Sequence, residues 1–254
     1  MVRGLYTAYT GMEAQQQKLD IVSNNLANVN TSGFKQDNVA FRSFKEVLAT
    51  KIDDPEIPAD LKIGRMTLGV KVDQVFTSFA QGGLSHTEDG NTMAIEGDGM
   101  IVVGQIQKDG SYIERYTRDG SFTRDQEGRL VTVDGNFVLG QNGPVSITEP
   151  NFAVTNNGSI YVNNEFVDQI RLTGFTDYSS LRKIGDNLYS TTDTSEFIDF
   201  EGNLRQGYLE SSNVNSVKEM VEMVKIMRTY EANQKVLTTY DATLDNVVNN
   251  VGRV

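Results

Sequence analysis

The sequence predicts an α+β chain in which a helix at each end forms a coiled coil and a mainly antiparallel β domain is inserted between them. Two patterns carry that prediction. Apolar residues recur at alternating gaps of three and four near both ends, the mark of a helix with one narrow apolar seam. Between the ends, turn dipeptides containing glycine arrive about every eight to ten residues, the rhythm of an antiparallel meander or barrel. The segments so defined are an N-terminal helix over 1–33, a connector over 34–68, a β domain over 69–207 and a C-terminal helix over 208–254.

In the first segment Leu5, Ala8, Met12, Leu19, Val22, Leu26 and Val29 follow the alternation, with Gln15 in the one polar place. Gly33, after Thr31 and Ser32, supplies the backbone freedom of a helix stop. Gln15, Gln16, Gln17, Asn24, Asn25, Asn28 and Asn30 have modest or poor helix propensity, and an unpacked helix is marginal in water. Both ends are therefore expected to be largely disordered in a free chain and to fold on assembly.

The connector is mixed. Phe34, Val39, Phe41 and Phe44 alternate imperfectly, Lys45 to Ile52 has the makings of a short helix, and Asp53 to Pro58 reads as a turn or exposed loop. From Leu68 onward the pattern is β. Val70, Val72 and Val75 to Phe79 predict a strand, and the apolar run Met100 to Ile106 predicts a buried one. Hairpin-type dipeptides follow at Asp109-Gly110, Asp119-Gly120, Glu127-Gly128, Asp134-Gly135, Asn142-Gly143, Asn157-Gly158 and Glu201-Gly202. Only Tyr178 to Ile184 carries a helical pattern inside this region.

In the last segment Met220, Met223, Met227, Tyr230, Leu237, Leu244, Val248 and Val251 form the second seam, broken by Gln234 and Asp241. Ser216 with Glu219 three residues on predicts a capping box and so a helix start. Glu222 with Lys225 and Glu231 with Lys235 are expected to pair on the outer face. A helix this long, about 50 Å at 1.5 Å per residue, needs a partner along its seam. The matching seam of Leu5, Met12, Leu19, Val22 and Leu26 supplies one, within the chain and from other copies. Gln15, Gln234 and Asp241 would then set register.

Composition narrows the function. A formal charge of −11 and the lack of any basic run argue against nucleic acid or an anionic membrane as partner. With no cysteine there is no disulfide, thiolate metal site or Cys nucleophile. No apolar run suits a cleavable signal or a membrane span, so by ordinary signals the chain stays in the cytoplasm unless something else exports it. Gly97-Asp98-Gly99 lacks the third glycine and following helix of a dinucleotide loop. The Asp-Gly pairs lack calcium-loop spacing and read as turns. His86, the one histidine, stands in a polar stretch and reads as an exposed loop residue. Asp119 with Asp125, or Glu127 with Asp134, have no sign of a cleft around them. No catalytic residue, cofactor or metal is expected.

Gly11-Met12-Glu13-Ala14-Gln15-Gln16, Asn24-Asn25-Leu26-Ala27-Asn28 and Thr31-Ser32-Gly33-Phe34-Lys35 together resemble the signature of the axial proteins of the bacterial flagellum, the rod and hook proteins of the basal body. Glu210-Ser211-Ser212-Asn213-Val214-Asn215, followed by Arg228-Thr229-Tyr230-Glu231-Ala232-Asn233, is similar to that family's C-terminal signature. Ala94 to Gly99 and Tyr116 to Phe122 match its central segment, with Met100-Ile101 departing from the usual aromatic pair. The resemblance implies a structural subunit of the basal-body rod, exported unfolded through the flagellar type III channel. It implies a helical homopolymer whose terminal helices line the central channel, with other rod proteins, the hook protein and the export apparatus as partners. Length implies one of the longer rod proteins, with the connector favouring the distal one over the proximal. The rival reading is a soluble β-domain binding module with a closed dimeric or intramolecular helix pair.

Overall fold

The computed structural model describes residues 2–44, 47–50, 62–67, 69–107, 111–149, 151–185 and 187–251; side chains are described throughout these except at 2, 3, 47–50, 62–66, 250 and 251. The chain divides into two compact units, one of residues 1–26, 37–76 and 215–254, the other of 27–36 and 77–214. These bounds differ from the segments the sequence suggests. The reason is local: 31–36 and 208–214 bond to each other inside the β unit, through Gly33 N–H to the Glu210 carbonyl (2.8 Å) and Gln36 N–H to the Asn213 side chain (2.8 Å).

The first unit holds both long helices, α1 (Val2–Ala27) and α2 (Ser216–Asn246), the latter continued by a π turn over Val247–Val251. Both ends are thus helical in the structure, as the spacing of their apolar residues predicts. α1 stops at Ala27, six residues before Gly33. Asn residues compete with helical bonding by capturing nearby backbone, and Asn25 does so across the chain: its amide donates to the Asp37 carbonyl (2.9 Å) and accepts from the Asp37 N–H (3.0 Å). The start of α2 also differs by one residue from the expected capping box. Asn215, in extended conformation, is the cap and accepts from the Lys218 N–H (3.0 Å). Asn caps as well as Ser, and Glu219 is thereby released from capping.

The connector forms ribbons. Asp37–Ser43 pairs with Val70–Thr77, and Val47–Thr50 pairs antiparallel with Lys62–Met66. A strand therefore replaces the short helix expected between Lys45 and Ile52, whose outer residues 45, 46, 51 and 52 lie outside the described residues, as does the loop expected at Asp53 to Pro58. Val70, Val75 and Phe76 are exposed on their strand, which is not a core strand.

In the β unit the strand Met100–Ile106 is central. It runs antiparallel to Tyr112–Thr117 on one side and to Phe137–Gly140 and Leu172–Phe175 on the other. Alternation then decides the packing, because successive side chains point to opposite faces. Ile101 and Val103 join Met93, Ile95, Phe122, Leu130 and Val138 in one buried cluster; Met100 and Val102 join Tyr116, Leu139, Phe175 and Tyr189 in another. Coverage on both faces explains why Met100 to Val103 are apolar without a break. Glu127-Gly128, Asp134-Gly135 and Asn157-Gly158 turn the chain as expected, with glycine φ of 78°, 84° and 83°. Asn163 and Asn164, both at positive φ, add a two-residue hairpin turn that the glycine pattern missed.

Three local expectations change. Asp119-Gly120 is no hairpin turn: a Cβ on Gly120 would meet the Met93 carbonyl at 1.5 Å, and Met93 N–H donates to the Gly120 carbonyl (3.0 Å). Tyr178 to Ile184 is one 3-10 turn, Tyr178–Ser180, followed by the strand Arg182–Gly185. His86 lies on the strand Leu84–His86, paired with Tyr208–Glu210, its ring edge-on to Tyr208 at 5.1 Å.

Candidate functional site

Two arrangements gather the residues singled out by the sequence, one in each unit. In the first unit α1 and α2 meet in opposite directions along their length. A Cβ on Gly4 would touch the Tyr240 hydroxyl, one on Gly11 would lie 3.2 Å from the Asn233 amide, Lys18 pairs with Glu222, and Asn25 donates to Glu219 (3.4 Å). The four α1 positions are seven apart, so one stripe of α1 makes every contact. Ala8 and Val22 of the expected seam are buried, and Leu5, Met12, Leu19 and Leu26 are half-buried.

On α2 the seam divides. Met223, Leu237 and Leu244 are half-buried, whereas Met220, Met227, Tyr230 and Val248 are exposed; the side chain of Val251 lies outside those described. The buried positions are Glu219 and Ile226, each one residue before an expected seam position. Phase accounts for the division. The positions that meet α1, Glu219, Ile226, Asn233 and Tyr240, are themselves seven apart, so the inward face runs one residue before the row of Met220 and Met227, which is left on the outer flank. At 100° per residue Val217, Val221 and Val224, all exposed, lie roughly 160° around the helix from Glu219 and Ile226, with exposed Met220 and Met227 on the flank at roughly 100°. Of the signature residues on α2, Arg228 and Glu231 are exposed and Asn233 is half-buried against Gly11.

Charge joins the two helices. Lys18, by its hydrogen bond to the Glu222 carboxylate, holds that group below its usual value. The Glu222 to Lys225 pair expected on the outer face exists as a longer contact of 3.7 Å, with Lys225 largely exposed.

In the β unit, segments distant in sequence converge on Glu210. Its Oε1 accepts from Lys35 Nζ (2.6 Å) and from the Gly82 N–H (2.9 Å), and its Oε2 accepts from Arg118 Nη1 (3.3 Å). Lys35 also donates to the Ala80 carbonyl (2.9 Å), and Arg118 Nη2 to the Gly97 carbonyl (2.7 Å). The three charged side chains are at most 1% exposed. Burial pushes the Lys35 ammonium below its ordinary value, with the Glu210 carboxylate offsetting part of that effect and the Arg118 charge adding to it.

Around this centre the remaining signature residues act as pins. Gly33, at φ 66°, packs so closely on Arg118 that a Cβ would lie 2.5 Å from its carbonyl carbon. Phe34 is buried under Lys183, whose Nζ stands 3.9 Å from the ring centre. Asn213 accepts from the Gln36 N–H and donates to the carbonyls of Ser78 (2.8 Å) and Ala80 (2.9 Å). Asn28 accepts from the Thr31 hydroxyl (3.2 Å), and Asn24, at the exposed end of α1, has a partner too. Arg118 and Glu210 stood inside motifs quoted for resemblance, yet neither was singled out. No local signal marks either charge for burial, since Arg118 stands between Thr117 and Asp119 and Glu210 is followed by Ser211 and Ser212.

The carboxylates weighed for catalysis have other employment. Asp119 accepts from the Ser121 N–H (3.0 Å), and burial pushes its carboxyl up. Asp125 binds Arg129 (2.7 Å) and caps the turn at Glu127.

Comparison with known proteins covers the same segments. Residues 5–35 match the model described as "Flagella basal body rod protein", residues 94–165 that of "Flagellar hook protein FlgE/F/G D1 domain", and residues 205–251 that of "Flagellar basal body rod FlgEFG protein C-terminal". The chain is 33% identical over 264 residues to the flagellar basal-body rod protein FlgG of Buchnera aphidicola subsp. Schizaphis graminum, covering 97% of this chain and 99% of that one. It is 35% identical to FlgG of Borreliella burgdorferi, and 33% identical to the flagellar basal-body rod protein FlgF of Caulobacter vibrioides, each over the full length of both chains.

Proposed function

This chain belongs to the flagellar rod and hook family as a rod protein, a structural subunit of the basal body, and we propose that it builds the rod by helical polymerisation through its two terminal helices. The observation that carries this reading is the exposed apolar surface of α2, with Val217, Val221 and Val224 on the side away from α1 and Met220 and Met227 on its flank. An apolar face of that size on a single chain marks a surface meant for a partner. In this reading that face packs on a different surface of the next copy. Such contacts propagate as a filament, whereas a two-fold contact stops at a dimer.

In this reading α1 and α2 form a coiled coil within each subunit, with Leu5, Met12, Leu19, Val22, Leu26, Met223, Leu237 and Leu244 on the inner seam. Met220, Met227, Tyr230, Val248 and Val251 meet neighbouring copies. Other rod proteins and the hook protein continue the same packing at the two ends, and the filament transmits torque to the hook. The subunits arrive unfolded through the flagellar export apparatus, which suits a chain without cysteine. The length of the connector over 40–68 favours the distal part of the rod.

Replacing Val221 and Val224 together by Asp tests the reading, because both side chains are exposed and the fold does not need them. Electron microscopy of the concentrated protein should show filaments for the parent chain and none for the variant, with equal helix content by circular dichroism. Filaments from the variant would sink the reading, and a parent chain that stops at a dimer would favour the closed helix pair.

A further inference from the structure

We propose that Glu210 is a closure latch, which makes completion of the β unit wait for the C-terminal segment of the chain. Lys35 and Arg118 are both buried, and the carboxylate that compensates them comes from 175 residues beyond Lys35 and 92 beyond Arg118. Asp98 also acts on Lys35 but is exposed. Until residue 210 arrives, closing the site would bring an ammonium and a guanidinium together out of water with no buried anion between them. Removing one partner of a buried pair leaves an uncompensated charge, which is far more costly than the pair itself is favourable.

The backbone reinforces the dependence. Gly33 N–H and Gly82 N–H both bond to Glu210, and Ser211 N–H bonds to the Gly83 carbonyl (2.8 Å). Tyr208–Glu210 pairs with Leu84–His86, and Asn203–Gln206 pairs with Met93–Glu96. The segment 31–36 and the loop 80–83 therefore dock onto a surface that only the late part of the chain provides. The hydrogen bonds hold the unit once it has closed; the charges are what make closure without residue 210 unfavourable. This inference does not rest on polymerisation and survives if the helices serve another purpose.

Two amides report docking without bonding to the C-terminal segment: Ser78 N–H, held by the Gln36 carbonyl (2.8 Å), and Met93 N–H, held by the Gly120 carbonyl. The experiment is pulse-labelled hydrogen exchange during refolding of the full chain. In the parent chain, Ser78 and Met93 should gain protection in the same kinetic phase as Ser211. In the variant Lys35→Met, Arg118→Met, Glu210→Met, which keeps side-chain bulk and removes all three charges, they should gain it at least tenfold earlier than Ser211. Earlier protection of Ser78 and Met93 in the parent chain overturns the proposal. So does a variant in which the three amides stay in one phase, since the charges would then not be what delays closure.

Discussion

Gly4 and Tyr240 lie against each other across α1 and α2, with the hydroxyl 2.5 Å from where a Cβ on Gly4 would be. One helical stripe later, Gly11 stands in the same relation to Asn233. The close approach fixes one antiparallel register. Gly11→Cys with Asn233→Cys, in a chain without cysteine, should oxidise to an intramolecular disulfide, the required Cβ separation being about 3.5–4.5 Å. Gly11→Cys with Gln234→Cys should not. Non-reducing electrophoresis distinguishes the faster-migrating monomer from a cross-linked dimer, and a dimer in the first pair would contradict the register.

Glu222 gives the helix pair an acid limit. Its folded value lies below its usual 4.5, so the stabilisation is present above the unfolded value and is lost as pH falls through the folded one. Glu222→Gln should flatten that acid limb of the thermal-unfolding profile, by less than about 1 kcal/mol since the pair is partly solvated. An unchanged limb would assign the acid sensitivity elsewhere.

Asp119 has the opposite sign. Burial raises its folded value above its usual 3.8, so its contribution is favourable below the unfolded value and is lost as pH rises through the folded one. Asp119→Asn keeps an acceptor for the Ser121 N–H and should be relatively more stable near neutral pH than at pH 3. Urea midpoints at the two pH values check this, and a midpoint shift that is equal at both would count against it.

Gly33 combines a positive φ with backbone on its open side. Gly33→Ala meets both the strain of the left-handed region and a clash with Arg118, and should destabilise the chain by about 1–3 kcal/mol. Gly135, also at positive φ but with open space around its Cβ position, should lose less on the same change. Denaturant unfolding of the two variants ranks them.

Within the central sheet, Ile101→Ala removes a side chain from the larger buried cluster and should cost about 2–5 kcal/mol. Ile113→Ala, on the neighbouring strand but exposed, should cost much less. Comparable losses would mean that the two faces of the sheet are assigned wrongly.

Much of the architecture was legible because it repeats. The three-four spacing of Leu5 to Val29 and Met220 to Val251 announced two helices, and glycine dipeptides at 128, 135 and 158 announced real turns. Where single side chains decide, reading failed. Asn215 and Ser216 are both good caps, and only the extended backbone of Asn215 selects it. Asp119-Gly120 has the composition of a hairpin turn, yet contact with Met93 makes it a packing site. Lys35 was marked as a signature residue, but nothing local to it announces Glu210.

What the sequence determined by itself is the two terminal helices, the β region between them and the flagellar rod family, since periodicity and short motifs are local properties that survive without coordinates. Tertiary structure decided which face of α2 turns inward and which distant residues share the buried charge. Both depend on burial: packing against α1 chooses which row of α2 turns inward, and a buried cation accepts whichever carboxylate the fold brings within hydrogen-bond reach.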